Sequence, residues 1–194
     1  VETGREVTNI INKKVKSRKI DLSFEVVSNP EFLREGKAVY DFTHPDRIVV
    51  GTESEQAKDM LKEVYNVLYL NETPFVFCSR ESAELIKYAS NAFLAVKISF
   101  INEIARVAES VGANIQDVAK AMGMDGRISP KFLHAGPGYG GSCFPKDSRA
   151  IVDIAHKKKI NLEVIEGSIK ANENQKLWAA DKIITNMGGV KGKT

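Results

Sequence analysis

The residues best suited to chemistry lie between Gly136 and Asp147, Gly-Pro-Gly-Tyr-Gly-Gly-Ser-Cys-Phe-Pro-Lys-Asp, where a glycine-dense loop leads Cys143 into a helical pattern. Gly136, Gly138, Gly140 and Gly141 free the backbone to take positive φ and leave room for a ligand to approach closely. Pro145 is expected at the first helical position, where its missing N–H is not needed. Apolar residues at Ile151, Val152, Ile154 and Ala155 then recur at helical spacing. Cys143 therefore faces the positive end of a helix dipole with Lys146 nearby, and both favour the nucleophilic thiolate. A lone cysteine is otherwise a small buried hydrophobe; the polar loop and the lysine favour the reactive thiol. Asp147, one turn further on, falls on the same side of that helix. It serves equally as a first-turn acid complementing the dipole.

Two more pairs stand at helical spacing. Lys87 and Asn91 share one face of a long apolar helix, although Lys87 taken alone reads as a solvated lysine. Glu31 and Glu35 flank Phe32-Leu33-Arg34 in a loop, and two acids there are equally surface groups. Cys78 closes a short apolar strand and reads as core.

Positioning these groups requires two kinds of architecture. Up to about residue 78 the pattern alternates. A helix (Val7, Ile10, Ile11, Val15) precedes a strand (Leu22 to Val27), a loop opened by Asn29-Pro30, and a strand (Arg47 to Gly51). A helix on Ala57, Met60, Leu61, Val64 and Leu68 then leads to a strand, Pro74 to Cys78. Such alternation predicts crossover units and a mostly parallel sheet. After Ser79, a plausible N-cap, no glycine or proline interrupts until Gly112. A helix over 79–111, at about 1.5 Å per residue, spans roughly 45 Å and has apolar residues on more than one face, so it needs a second packing partner. Asn114 caps the next helix, 115–122, with Gly123 at its end. Helices follow after Cys143 and over 162–187, and 188–194 read as a linker. The fold class is α/β, with domains at 1–78 and 79–187.

Composition narrows the function. The 194 residues carry 28 Lys+Arg against 25 Asp+Glu, a net charge of +3, which argues against nucleic acid as the main partner. The basic runs Lys13–Lys19 and Lys157–Lys159 read as solvated surface. Two cysteines make no disulfide framework, which suits a reducing cytoplasm. No apolar run reaches membrane-spanning length, and the first residues do not form a signal peptide. His44, His134 and His156 lie far apart, so no structural metal is expected. No Gly-x-Gly-x-x-Gly follows a strand, and both ends look cut, as in an internal piece of a larger protein.

Three ordered segments carry a family resemblance: Asn29-Pro-Glu-Phe-Leu-Arg-Glu-Gly36, Glu84-Leu-Ile-Lys-Tyr-Ala-Ser-Asn-Ala-Phe93 and Gly138-Tyr-Gly-Gly-Ser-Cys-Phe-Pro-Lys-Asp147. Together they resemble the UDP-glucose 6-dehydrogenases of the wider nucleotide-sugar dehydrogenase family, over essentially the whole chain. The resemblance implies oxidation of a primary alcohol to a carboxylate with two NAD. Cys143 would be the nucleophile that carries a thiohemiacetal and then a thioester. Lys87 and Asn91 would hold the oxygen that develops negative charge, as two donors on one helix face. Asp147 would act with the lysine on water and protons, and Glu31 would be the general acid/base of the thioester step.

Glu35 would lie near the nicotinamide and sugar, and Lys146 would contact the cofactor. Phe132, Leu133, His134, Ala135, Gly136 and Gly140 would wrap the UDP-sugar, and Arg127 would reach a dimer partner's substrate. His134 stands where some relatives carry lysine or asparagine. The resemblance further implies that 1–78 is the C-terminal portion of a Rossmann-like NAD-binding domain and 79–187 an all-helical central domain, dimeric through the helix 79–111. On this view 188–194 begins a linker to a UDP-binding domain, and the piece alone is expected to bind NAD weakly and turn over little. The alternatives are a dehydrogenase for GDP-mannose or UDP-N-acetylmannosamine, a non-catalytic helical dimerisation module, or a redox-sensing thiol, which would want a resolving cysteine nearby.

Overall fold

A computed structural model of the chain describes residues 1–66 and 73–189. Leu68, assigned above to a helix, and 190–194 of the expected linker lie outside them. The chain divides into two compact units, Val1–Lys87 and Tyr88–Thr194.

In the first unit, α1 (Thr3–Arg18) precedes a long connection, α2 (Ala38–Thr43), β1 (Ile48–Gly51), α3 (Glu55–Asn66) and β2 (Phe75–Cys78). The strands β1 and β2 pair in parallel, Ile48 with Phe75 through Gly51 with Cys78, as the crossover through α3 requires. Ile48, Val49 and Val50 are buried, and this continuous apolar run marks a strand covered on both faces. Gly51 is required where β1 meets the first turn of α4 (Arg80–Ser110): a Cβ there would stand 2.6 Å from that of Ala83. The backbone N–H of Gly4 in α1 donates to Glu84 Oε1 at 2.8 Å, tying α1 to the same turn.

The expected strand Leu22–Val27 is not formed. Only Ser28 pairs, in an isolated antiparallel bridge with Gly51 made by two backbone bonds of 3.0 and 2.7 Å. Asn29-Pro30 stops the ladder, because proline has no N–H to extend it, and Leu22 is left exposed. The short helix α2 went unforeseen. The guanidinium of Arg34 reaches across to Asp41 in it, through Nε at 2.9 Å and Nη2 at 2.5 Å.

The second unit contains most of α4 with α5 (Ile115–Gly123), α6 (Cys143–Lys157) and α7 (Glu163–Asn186). The start of α4 belongs to the first unit, where the hydroxyl of Ser79 accepts from the Ser82 N–H at 3.1 Å, so the expected N-cap is in place. After the last turn Gly112 takes φ 71° while the Ala113 N–H bonds to Ala108 O, a Schellman-type stop. Asn114 caps α5 through the Gln116 N–H. Gly123 ends α5 for a different reason than a left-handed turn: Pro130 lies so close that a Cβ would meet it at 2.8 Å.

Within this unit α4 and α7 meet along a seam of small and polar side chains. Ser99 Oγ donates to the Ser168 carbonyl at 3.1 Å, and Ser168 Oγ donates to Ser99 Oγ at 3.0 Å. Ala92, Ala95, Ile101 and Ala108 of α4 are buried, as are Ile151, Val152 and Ala155 of α6. Among the described residues no helix is long and apolar enough to cross a membrane.

Candidate active site

Cys143 is the first residue of α6, after Ser142 at the N-cap position, and is half-buried. Pro145 is therefore third in the helix rather than first. The position is tolerated on the same grounds, since the opening four N–H groups have no intrahelical acceptor. The cysteine thus stands at the end of the helix where backbone N–H groups point outward. Its Sγ lies 3.6 Å from Ser142 Oγ.

Asp147, one turn into α6, is 1% exposed yet carries a carboxylate. Its two oxygens are bonded separately. Asn91 Nδ2 donates to Oδ2 at 2.6 Å, and Lys146 Nζ donates to Oδ1 at 2.5 Å. A buried carboxylate requires such partners, because leaving it unpaired costs several kcal/mol. Lys146 gains in return: the hydrogen bond to Asp147, followed by its charge, raises the lysine above its ordinary pKa, while its side chain stays 67% exposed. The ammonium beside Cys143 is held cationic and faces water.

In the first unit Lys87 Nζ donates to Glu31 twice, to Oε1 at 2.8 Å and to its backbone carbonyl at 2.5 Å. Glu31 Oε2 accepts from the Leu33 N–H at 2.7 Å, which fixes the carboxylate over its own turn. The Phe32 ring lies 5.5 Å from the Lys87 ammonium and 3.7 Å from the Arg47 guanidinium. Lys87 is thus no free surface lysine; only 19% of its side chain is exposed. The bonds of the proposed catalytic residues fall into two groups, Lys87 with Glu31 and Asn91 with Asp147 and Lys146. Lys87 and Asn91 stand one turn apart on α4.

The loop before Cys143 is built from the aromatic rings and buried amides of its own unit. Phe144 meets Phe132 and Tyr139 edge-on, at centroid distances of 5.9 and 6.1 Å. The Gly136 N–H donates to Asn102 Oδ1 at 2.7 Å, and its carbonyl accepts from Gln175 Nε2 at 2.8 Å. Asn172 closes a two-point contact with Tyr139, accepting from its N–H at 2.7 Å and donating to its carbonyl at 3.1 Å. Gly138 takes φ 110° and Gly141 φ 74°, so two of the four glycines use the freedom expected of them. Phe132 also takes a positive φ, 66°.

Elsewhere along the segment, Leu133 is buried, Ala135 half-buried, and His134 and Gly140 exposed. Glu35 occupies an exposed turn. Arg127 folds back onto Asp125 through Nε and Nη2, at 3.0 and 2.6 Å, and holds that carboxyl below its ordinary range. Cys78 is half-buried rather than core, and burial pushes its thiol up.

Residues 81–174 match the description "UDP-glucose/GDP-mannose dehydrogenase family, central domain", and residues 1–69 match the NAD binding domain of the same family. The chain belongs to the UDP-glucose/GDP-mannose dehydrogenase family. It is 52% identical over 97% of its length to the UDP-glucose 6-dehydrogenase of Rhizobium meliloti (strain 1021), covering 43% of that protein. It is 48% identical over its whole length to UDP-glucose 6-dehydrogenase TuaD of Bacillus subtilis (strain 168), covering 41% of it. The UDP-glucose dehydrogenase structure from the archaeon Pyrobaculum islandicum superposes on 94% of the chain with a TM-score of 0.85 at 38% identity, covering 42% of that protein. The chain therefore spans about two fifths of the length of the relatives it matches, and its α/β fold with a helical second part is that of this family.

Within this member of the dehydrogenase family, sequence reasoning missed Asn102, Asn172 and Gln175, which hold the cysteine loop, and the pairing of Phe32 with Arg47. A signal for the amides was present. Asn91, Ala95, Ser99 and Asn102 recur on one face of α4, and Ser168, Asn172 and Gln175 on one face of α7. Small and polar residues at core spacing mark a close, hydrogen-bonded helix contact.

Proposed function

We propose that this chain supplies the nucleophile and proton-handling groups of an NAD-dependent UDP-glucose 6-dehydrogenase, which oxidises UDP-glucose to UDP-glucuronate in two steps. The observation that carries the reading is Cys143 opening α6 behind an anchored glycine loop, with the Asp147 carboxylate buried one turn below it. NAD, when bound, supplies the hydride acceptor for both oxidations. The parallel β1–β2 pair with its α3 crossover fits a dinucleotide-binding sheet. Lys146, held cationic, fits a contact to the cofactor, and Glu35 is proposed beside it.

The Cys143 thiolate adds to the carbonyl carbon of the aldehyde, forming the C–S bond of a thiohemiacetal. Lys87 and Asn91 donate to its oxygen as negative charge develops. After the second oxidation, water adds to the resulting thioester and gives up its proton to the general base, and the C–S bond breaks with sulfur leaving as the thiolate that began the cycle. Glu31, in contact with Lys87, takes and returns protons for that hydrolysis, and Asp147 orders Asn91 and the water. Phe132, Leu133, His134, Ala135, Gly136 and Gly140 are proposed to line the UDP-sugar. Gly136 already gives both backbone groups to Asn102 and Gln175, leaving Gly140 the more open backbone position.

The active form is proposed to be a cytoplasmic homodimer through α4. Phe93, Phe100 and Val107 stand at heptad spacing on that helix, 63%, 45% and 56% exposed, an apolar stripe that a second copy would cover. Arg127 would serve the partner's substrate. We also propose a functional boundary near Ser79, between an NAD-binding part (1–78) and the helical central part (79–187).

The test is turnover by the complete polypeptide that carries these residues. UDP-glucose, GDP-mannose and UDP-N-acetylmannosamine are assayed in parallel, with Cys143→Ala beside the parent. Turnover restricted to GDP-mannose or UDP-N-acetylmannosamine would overturn the substrate. Full oxidation to the carboxylate by Cys143→Ala would overturn the mechanism.

A further inference from the structure

Between Gly136 and Tyr139 the loop makes no regular secondary structure, yet the backbone groups of its two end residues are bonded. Four of them bond to three side-chain amides, Asn102 of α4 and Asn172 and Gln175 of α7, at 2.7 to 3.1 Å. All three amides are at least 98% buried, at 1%, 1% and 2% exposure. Burying uncharged amides is costly unless they are bonded. Their bonds go to the one loop that leads into Cys143. Asn172 imitates the reciprocal N–H and C=O exchange of a strand neighbour, and its Oδ1 would lie 2.9 Å from a Cβ on Gly138, so the glycine and the asparagine define one another.

The remaining atoms sharpen the assignment. Asn102 Nδ2 and Gln175 Oε1 are buried and have no hydrogen-bond partner among the described residues. At position 102 only the acceptor is therefore used, whereas at 172 both donor and acceptor are used.

We propose that Asn102, Asn172 and Gln175 are positioning residues that set the loop 136–141 and, through it, the Cys143 thiol for attack. The inference rests on the reading of Cys143 as nucleophile. The clamp acts on the protein's own backbone rather than on substrate, so it governs how the thiol is presented whichever nucleotide sugar is bound.

The test uses the full chain in four variants. Asn102→Leu and Asn172→Leu remove the clamp bonds, Asn102→Asp keeps the acceptor used at 102, and Asn172→Asp keeps one of the two bonds used at 172. Ile101→Val, a buried neighbour with no bond to the loop, controls for general loosening. Two readouts are taken: peptide-resolved hydrogen exchange over 140–144, and iodoacetamide alkylation of Cys143 relative to Cys78 by mass spectrometry.

Asn102→Leu is expected to raise exchange and the alkylation ratio by about fivefold, the equivalent of one lost hydrogen bond, and Asn172→Leu, which removes two bonds, by more. Asn102→Asp is expected to stay near the parent, its buried carboxyl being held neutral, while Asn172→Asp falls between. Unchanged values in both leucine variants, or the same rise in Ile101→Val, overturn the clamp. So does an Asp at 102 no better than a Leu. Neither readout needs turnover, so these outcomes are separate from a failure of the dehydrogenase reading, which would appear as full activity in Cys143→Ala.

Discussion

Asn91 donates its side-chain amide to Asp147 Oδ2 at 2.6 Å, and both residues are buried, at 8% and 1% exposure. A helix-borne amide thus satisfies a carboxylate held one turn from the candidate nucleophile. Replacing Asn91 with Leu removes the donor and leaves the carboxylate with Lys146 alone, an arrangement that costs about 1–3 kcal/mol or more for a charged acceptor. Asn91→Leu is therefore expected to lower the melting temperature measurably, while Asn91→Asp does so more strongly by facing two carboxylates. Thermal denaturation followed by circular dichroism checks both; an Asn91→Leu as stable as the parent contradicts the bond's role.

The fork between Arg34 and Asp41 has a pH signature. Hydrogen bonding from Arg34 holds the Asp41 carboxyl at about 2, well below its ordinary value. Because the folded value is depressed, the contribution to stability is complete above the ordinary carboxylate range near pH 4 and disappears as pH falls through about 2. NMR titration of the Asp41 side chain is expected to show a midpoint near that value, moving up toward pH 4 in Arg34→Ala.

Gly51 is predicted to be irreplaceable on packing alone. A Cβ there meets Ala83 Cβ at 2.6 Å and Arg80 Cα at 2.9 Å, and one of these is backbone that cannot swing aside. Gly51→Ala should destabilise by about 1–3 kcal/mol, as overpacking does. Pairing it with Ala83→Gly is expected to recover only part of the loss, which chemical denaturation of single and double variants measures.

Gly138 and Gly140 should respond oppositely to alanine. Gly138 has φ 110° and Asn172 Oδ1 in the way at 2.9 Å, whereas Gly140 has no neighbour within 4 Å of its would-be Cβ. Gly138→Ala is expected to lose stability by about 1–3 kcal/mol, and Gly140→Ala to stay within about 0.5 kcal/mol. Weaker binding of UDP-glucose by a fully stable Gly140→Ala, measured by calorimetry on the complete polypeptide, would then report on the ligand rather than on the loop.

The elements legible in the sequence were those with strong periodicity and a visible stop. The helices α3, α4, α5 and α7 follow apolar spacing, and Ser79 and Asn114 cap where their types predict. Leu22–Val27 alternates as a strand should, but alternation says nothing about whether a neighbour is available, and only Ser28 finds one. Pro145 was misplaced by two residues because proline is compatible with the whole first turn. At the candidate site, the family motifs pointed to the residues that carry chemistry. They did not indicate that Lys87 binds Glu31 while Asn91 binds Asp147, since partners separated by more than fifty positions leave no local trace. The amides at 102, 172 and 175 escaped because each, taken singly, looks like helix surface; only their shared spacing with Ala95, Ser99 and Ser168 marks a helix contact.

The two-point contact between Asn172 and Tyr139, with Gln175 one turn beyond, bears on how this part of the molecule can be moved. The stretch matching the central-domain description ends at residue 174, one position short of Gln175 and its bond to the Gly136 carbonyl. A graft cut at that boundary would transplant the thiol and its glycines without one of the side chains that shapes them. The smallest portable version of the cysteine loop runs from α4 through at least Gln175, so instructions for a four-residue stretch are written more than thirty residues downstream of it.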